Sequence, residues 1–366
     1  MVKKILKNKF FILFTSLIIV VVTARFSKAY PLNSRLIVLS MGLEKEGENM
    51  VVTVEGIKPE KDKIGYQTFQ GKGLTISKAL SEIEANSGKK TSLAQCEIVY
   101  IAEELLENGG LKFYETKAMR ELPELAVNVC CKSPKEIIGK KINKENYSFT
   151  VGETIRKNQG NFAALEVNNK DLGRDFLSNL KAVTLPYCEV VNKENSIDLV
   201  INSAVCFNEK SKIHLDENSY LAYLLLNPKN KNTKGSIKVK IDSKNEASIS
   251  INKIKVKKNI EVFNEQYITN YEVYIEYLED ETYFMSNDGD KENKRKLKEE
   301  DKALVENKIL SWVNNLVKIS KESKIDMLKT YDKFRAHYVD LVFNEKNYMD
   351  KIKVSGVVKL SKTLEK

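Results

Sequence analysis

His214 and His337 are the only histidines in the chain, and neither stands in a pattern that would make it a catalytic base. His214 lies in KIHLD, at an expected strand edge, and His337 in FRAHYVD, on an expected helix. Nucleophilic catalysis needs a hydroxyl or thiol held against a positioned base. No G-x-S-x-G, G-x-G-x-x-G, phosphate-loop or H-E-x-x-H motif is present. Gly71-Lys-Gly73 has two of the glycines of a phosphate loop, but it reads first as a flexible loop ahead of a helix. Glu103-Glu104 and Glu299-Glu300-Asp301 are acid runs. Adjacent acids on a helix point apart and do not flank one substrate bond. Asp288-Gly-Asp290 lacks the spaced acids and closing Glu of a calcium loop. The sequence thus offers no catalytic residue, no cofactor-binding residue and no metal ligand, and the expectation is a non-enzymatic protein without cofactor.

Five cysteines remain: Cys96, Cys130, Cys131, Cys188 and Cys206. None forms C-x-x-C, and His214 and His337 are the only histidines, so a Cys/His zinc site is not expected. Cys130-Cys131 reads as two strand residues facing opposite sides of a sheet. An odd count in an exported chain is expected to leave buried free thiols.

The elements around these residues are legible from periodicity. Arg35–Gly42 and the stretch around Val51, Val52 and Val54 flank the polar GLEKEGEN, which predicts a hairpin. Residues 58–73, with Pro59, Gly65, Gly71 and Gly73, read as a polar loop. Thr75 or Ser77 caps a helix carrying Ile76, Leu80 and Ile83, and Gly88 ends it. Ile98–Ile101 and Leu125–Val129 read as short strands, Glu103–Asn108 and the stretch from Phe113 to Glu121 as helices, and Lys170–Leu180 as a helix broken by Leu185-Pro186. Tyr187–Val191 and Ile197–Phe207 flank the turn KENS, and a helix around Leu221–Leu226 precedes a polar loop over 227–235.

From Ser236 apolar and charged residues alternate, which predicts antiparallel strands with one wet, lysine-rich face. Tyr271, Tyr274 and Tyr277 are expected near strand surfaces. Asp288–Lys302 reads as a charged loop leading into a long amphipathic helix with Val305, Ile309, Trp312, Val313 and Leu316 on its buried stripe. Ile352–Leu360 is a final alternating strand. The mixture predicts an α+β, multi-domain fold with mixed and antiparallel sheets and packed helices. The expected units are an N-terminal α+β domain over 30–185, a middle domain over 186–235 and a C-terminal α+β domain over 236–366.

Residues 1–29 differ from the rest. Lys3, Lys4, Lys7 and Lys9 precede the uncharged stretch Phe10–Ala24, and Arg25 and Lys28 follow. The stretch is short for a span of about 20 apolar residues and matches the length of an export signal. A cleaved signal peptide and a retained N-terminal membrane anchor both remain open. Without these six cations and no acids, the formal net charge drops from +10 to +4. That balance argues against nucleic acid as a partner.

The order of short motifs over the chain resembles the Ger(x)C family, the C subunits of spore germinant receptors. Leu39-Ser-Met-Gly42-Leu-Glu44 is similar to the family's early strand and turn, with Gly42 and Glu44 in place of its glycine and acid. Thr75-Ile76 through Gly88-Lys89-Lys90 resembles a family helix. Ile98-Val-Tyr-Ile-Ala-Glu103 resembles a family strand and helix, Pro123-Glu124 a family strand, Lys132 through Ile137 a family helix, and Leu185-Pro186, Ala204 to Phe207 and Lys212-Ile213 a later family passage. Near the end, Lys324-Ile-Asp326-Met-Leu and Gly356 find family counterparts. Two departures are visible: no lipobox cysteine precedes Cys96, and Leu328 and Lys329 stand where the family has glycines.

The resemblance implies a three-domain fold held on the outer surface of the spore's inner membrane. It also implies two integral-membrane partners, the A and B subunits, and a role in nutrient-triggered germination. An extracytoplasmic solute- or cell-wall-binding protein is the alternative expectation.

Overall fold

The computed structural model describes residues 13–14, 16, 34–59, 64–106, 117–144, 147–159, 164–178, 180–194, 196–227, 234–288, 291–338 and 345–363. The export-signal or anchor reading of residues 1–29 lies outside them, apart from three residues. Among the described residues no helix is long and apolar enough to cross a membrane.

The first sheet grows from the predicted hairpin. β1 (Arg35–Glu46) and β2 (Asn49–Pro59) are antiparallel, joined at Gly47 with φ +62°. A bulge between Val38 and Ser40 shifts the pleat by one residue. Leu36, Val38, Met41 and Leu43 thereby all reach the main core, although the two pairs are out of phase for a regular strand. β3 (Ile64–Gly73) extends the hairpin on β2. On the other side of β1 lie β5 (Ile98–Ala102), β6 (Val127–Cys131) and β7 (Val183–Asn192), all parallel. β8 (Ile197–Phe207) and β9 (Lys212–Leu215) close the sheet antiparallel, and the short β4 (Lys90–Ser92) pairs with the start of β1. The result is a nine-stranded mixed sheet.

β5 and β6 are buried at every position because the sheet is covered on both faces. One face packs against α1 (Ile76–Ser87), α3 (Asn169–Leu177) and α4 (Glu217–Leu226). The other is covered by residues 133–144 and 147–159, including α2 (Thr150–Gln159). Cys130 joins the first core and Cys131 the second, the opposed placement expected for adjacent strand residues. All five cysteines are buried free thiols. Burial pushes the Cys96, Cys188 and Cys206 thiols up to about 12.

The second sheet has six strands. β10 (Gly235–Lys240) pairs with the long β11 (Asn245–Phe263), which also carries β12 (Gln266–Tyr277) and β13 (Tyr283–Asp288). β14 (Lys291–Lys296) forms one edge, and β15 (Ile352–Lys362) returns parallel to β12 at the other. One face packs on α5 (Glu299–Ser323), whose Val305, Ile309, Trp312, Val313 and Leu316 are buried as the ridge predicts. Lys238, Lys240, Lys255, Lys257 and Lys359 stay exposed on the other face. α6 (Tyr331–His337) and α7 (Glu345–Lys351) fill the end of this layer. The molecule is α+β with two mixed sheets. β7 runs through residue 186, so sheet hydrogen bonding is continuous there, while the second sheet starts at Gly235.

Several elements differ from the sequence reading, for local reasons. The expected polar loop over 58–73 contains β3, an edge strand whose outer side needs no apolar residues. Gly71 and Gly73 are not a phosphate loop. A Cβ on Gly71 would meet the Ala79 carbonyl oxygen at 2.2 Å, so glycine lets α1 lie against the strand. The charged loop expected around Asp288 contains β14, again an edge, with the sequence KENKRK. Leu185-Pro186 does not break a helix but lies inside β7, where the β6 side is still unpaired. Tyr271 and Tyr277 are buried, and only Tyr274 of the three reaches the wet face.

Gly42 is the tightest test of this packing. It sits within β1, not in a turn, and a Cβ there would lie 2.6 Å from Pro134 Cβ and 2.8 Å from Ile138 Cδ1. Gly42→Ala is expected to cost about 1–3 kcal/mol through overpacking. Gly173→Ala, where nothing lies within 4 Å, is expected to gain about 0.5–1 kcal/mol from helix propensity. Urea midpoints of the two variants, moving in opposite directions, check the contrast.

Candidate functional site: a lysine-lined crevice between the two sheets

The residues picked out by the sequence do not converge on one reaction centre. His337 ends α6, far in the chain from the sheet that holds His214. His214 Nε2 meets Glu103 Oε1 at 2.7 Å, and Lys212 Nζ meets the same oxygen at 2.7 Å. Burial works against the Glu103 charge, yet the His214 and Lys212 contacts outweigh it and hold the carboxyl below its ordinary value. Glu104 turns elsewhere and accepts from the Lys45 amide at 2.9 Å, so the two adjacent acids diverge. Among the described residues no group of His, Cys, Asp and Glu is arranged to hold a metal ion.

What the motif residues do instead is hold each other. Glu44 shares the Gly42 face of β1 and accepts from Ser133 Oγ at 3.0 Å. Gly42 and Glu44 therefore seat the segment Lys132–Ile137, a separate motif almost a hundred residues later. Glu103 reaches Lys212 in the same way. Leu185-Pro186 pairs with Val205 and Ala204 across β7 and β8. Thr75 Oγ1 accepts from the Lys78 amide as the cap of α1, and Gly88 ends that helix at φ +65°. Near the C-terminus, Gly356 lets β15 approach Tyr271, where a Cβ would be 3.0 Å away.

Residues 28–190 match the family model of the spore germination protein N-terminal domain. That stretch is a little under half of the chain, and it is similar to the domain so described. The chain is also similar to a solved structure described as the crystal structure of the GerBC protein, with a TM-score of 0.52 and 12% identity. The match covers 88% of this chain and 96% of that one, and at this identity it concerns the fold. No curated protein matches the chain.

A crevice of about 400 Å³ opens where the two sheets meet. α3 contributes Asp171, Arg174 and Asp175, α4 contributes Tyr223, and Asn227 follows α4. β11 contributes Val256 and Lys258, while Lys329 and Lys333 come from the chain after α5. Its position depends on Asp326, which is 4% exposed. One Asp326 oxygen accepts from the Thr330 and Tyr331 amides, both at 2.9 Å, and the other faces the Thr330 hydroxyl at 3.3 Å. Burial pushes this carboxyl up, against the pull of those donors.

The resulting tight turn puts Lys329 at φ +51°, the left-handed region that favours the glycine of the family pattern. Lys329 is tolerated there, and its ammonium pairs with Asp175 Oδ2 at 2.5 Å. Burial opposes the Lys329 charge, but Tyr223 and Asp175 outweigh it and keep the ammonium above its ordinary value.

Lys258 is held differently. Its Nζ donates to Asn227 Oδ1 at 3.0 Å and to the Leu328 carbonyl at 3.2 Å, and lies 5.4 Å from the Tyr271 ring centroid. No carboxylate lies within ion-pair distance among the described residues. Burial lowers this ammonium to about 7, with Lys333 adding to the effect, Asp326 opposing it and Lys329 adding a little more. The sequence does carry a signal for it. Ile254, Val256, Lys258, Ile260 and Val262 share the inward face of β11, and Lys258 is the one charge among them.

The sign of its pH effect follows. Between about pH 7 and 10.5, folded Lys258 loses its proton while the unfolded chain keeps it. The unfolded state then binds more protons, so stability rises with pH across that window. Lys258→Met keeps the apolar stem without the charge. It is expected to raise Tm at pH 7 by about 2–4 °C and to flatten the rise between pH 7 and 10. Thermal unfolding across that range decides it.

Proposed function

We propose that this protein is a non-enzymatic subunit of a nutrient germinant receptor, acting with integral-membrane A and B subunits at the outer surface of the spore's inner membrane. The family match over residues 28–190 carries the reading. The mutual contacts among motif residues support it, because they build a scaffold, and among the described residues neither histidine pairs with a serine, threonine or cysteine. Two mixed sheets joined at a crevice suit an interaction subunit that passes a change in one half to the other. The division into domains at 30–185, 186–235 and 236–366 belongs to this proposal. Deleting the gene in its host is expected to slow or abolish nutrient-triggered germination while growth stays normal. Unchanged germination in a strain without a redundant paralogue would overturn the proposal.

Attachment to the membrane is a second part of the reading. Every cysteine is folded into a core, the first of them Cys96 at 2% exposed, so none is available for a lipid. Residues 1–29 supply the alternative, either as a retained anchor with Lys3, Lys4, Lys7 and Lys9 inside, or as a signal removed before the protein is held by its partners. The intact mass of protein purified from spore membranes is expected to show no diacylglyceryl adduct on any cysteine. The same spectrum, through a free N-terminus near Arg25 or Tyr30, separates cleavage from retention.

The crevice favours the solute-binding alternative to one extent: it is a concave site at a junction, where ligand pockets commonly occur.

A further inference from the structure

We propose that the crevice between the two sheets binds a small ligand through an oxyanion group, a carboxylate or a phosphate, held by Lys258 and Lys333 and bridging the two halves of the molecule.

Charge accounting comes first. The α3 acids in the crevice already carry cations. Arg174 Nη2 lies 3.3 Å from Asp171 Oδ1 and 3.5 Å from Asp175 Oδ1, while Lys329 takes Asp175 Oδ2. Asp326, the remaining nearby acid, is saturated by the Thr330 and Tyr331 donors behind the turn. Lys258 and Lys333 are left with no carboxylate within ion-pair distance among the described residues, on a wall shared with two paired cations. An inward lysine whose ammonium has only a side-chain amide, a carbonyl and a ring for company is poorly compensated. An oxyanion would supply the missing charge and accept from the ammonium protons left over.

Size and shape agree. A volume of about 400 Å³ lies in the range of small-molecule sites, roughly 300–1,000 Å³. Leu165, Val167 and Val256 add apolar wall beside the cations, which suits an organic anion with a small apolar part. Asn227 and Asp175 come from the first half of the chain, Lys258, Lys329 and Lys333 from the second. An anion here would tie the halves together beyond the existing Lys329–Asp175 pair and the Asn227 Nδ2 to Met327 carbonyl bond at 3.4 Å. Protonation is linked to binding: an anion favours charged Lys258, so binding near neutral pH must take up protons. The groups facing that ammonium are Asp326, Lys329 and Lys333 after α5, Asn227 after α4, and Tyr271 on β12. Arg174 and Asp175 of α3 stand across the crevice from it.

The test uses the purified full chain. At fixed ionic strength and pH 7, inorganic phosphate or succinate is expected to raise Tm saturably, and chloride is not. The anion that saturates at the lower concentration assigns the phosphate or carboxylate class. Lys258→Met and Lys333→Ala are each expected to weaken binding at least tenfold, while Lys255→Met, on the wet face of β11, leaves it unchanged. Calorimetry with sulfate, which does not titrate near pH 7, in buffers of different ionisation enthalpy is expected to show uptake of about half a proton, lost in Lys258→Met. The proposal is overturned if neither anion gives a saturable shift, if the two crevice variants bind as well as the unaltered protein, or if Lys255→Met loses binding equally. These measurements are independent of germination, so a failure here leaves the receptor reading standing, and a failure of that reading leaves the site.

Discussion

The carboxylate of Asp326 is the constraint on which the junction of the two sheets depends. It is buried, and it collects two backbone amides and a hydroxyl from the residues that follow it. Charge-assisted hydrogen bonds of this kind are roughly twice as strong as neutral ones. They fold the chain after α5 back on itself within five residues. That turn presents the Met327 and Leu328 carbonyls to Asn227 and Lys258, and aims Lys329 at Asp175. Thr330 also hydrogen-bonds with the buried Tyr348 hydroxyl at 2.8 Å, which brings α7 and the start of β15 onto the same centre. Contacts from α3, α4, β11 and α7 thus radiate from one loop, and a fault in the loop would reach all of them.

Much of this was legible in the sequence, and the rest was hidden for identifiable reasons. Strong periodicity gave β10, β11, β12, α1, α5 and β15, because each has one face in a core and one in water, while β1 and β2, buried along much of both faces, were read from apolar runs on either side of a polar turn. β3, β4, β13 and β14 went unread, and of these β3 and β14 are edges. Their outer sides accept charged and polar residues, so alternation fades. β6 was read as a strand over Leu125–Val129, and the structure places it two residues further on, at Val127–Cys131. Gly71 was misread because a glycine needed for close approach looks the same in sequence as one needed for flexibility.

The candidate site was harder to see than the fold. Its residues lie in four separate stretches, from Asp171 to Lys333, and none is in a motif that carries chemistry. Lys258 was passed over with the other lysines of this sheet, which were read as one solvated face, although its register sets it inward in an apolar series. Arg174 meets its acids on its own helix, but Lys329 takes meaning from Asp175 across 154 residues, and Lys333 from meeting no acid among the described residues. Pairing across more than a hundred residues is a property of topology, and no local pattern records it.

The family motifs and the crevice show two uses of polar groups in one fold. Glu44, Glu103 and Asp326 each clamp a distant or following segment, and each has its donors supplied by this chain. Lys258 is the exception. A buried charge left with neutral partners lowers stability, and an apolar residue of similar shape is often better for the fold. Folding alone therefore gives no account of a lysine at this place on β11. Departures from local consistency concentrate at functional and strained sites, and this one stands at the seam of the two sheets. The same ammonium that weakens the empty molecule would strengthen an anion-bound one, so occupancy of the crevice and docking of the two halves become a single equilibrium.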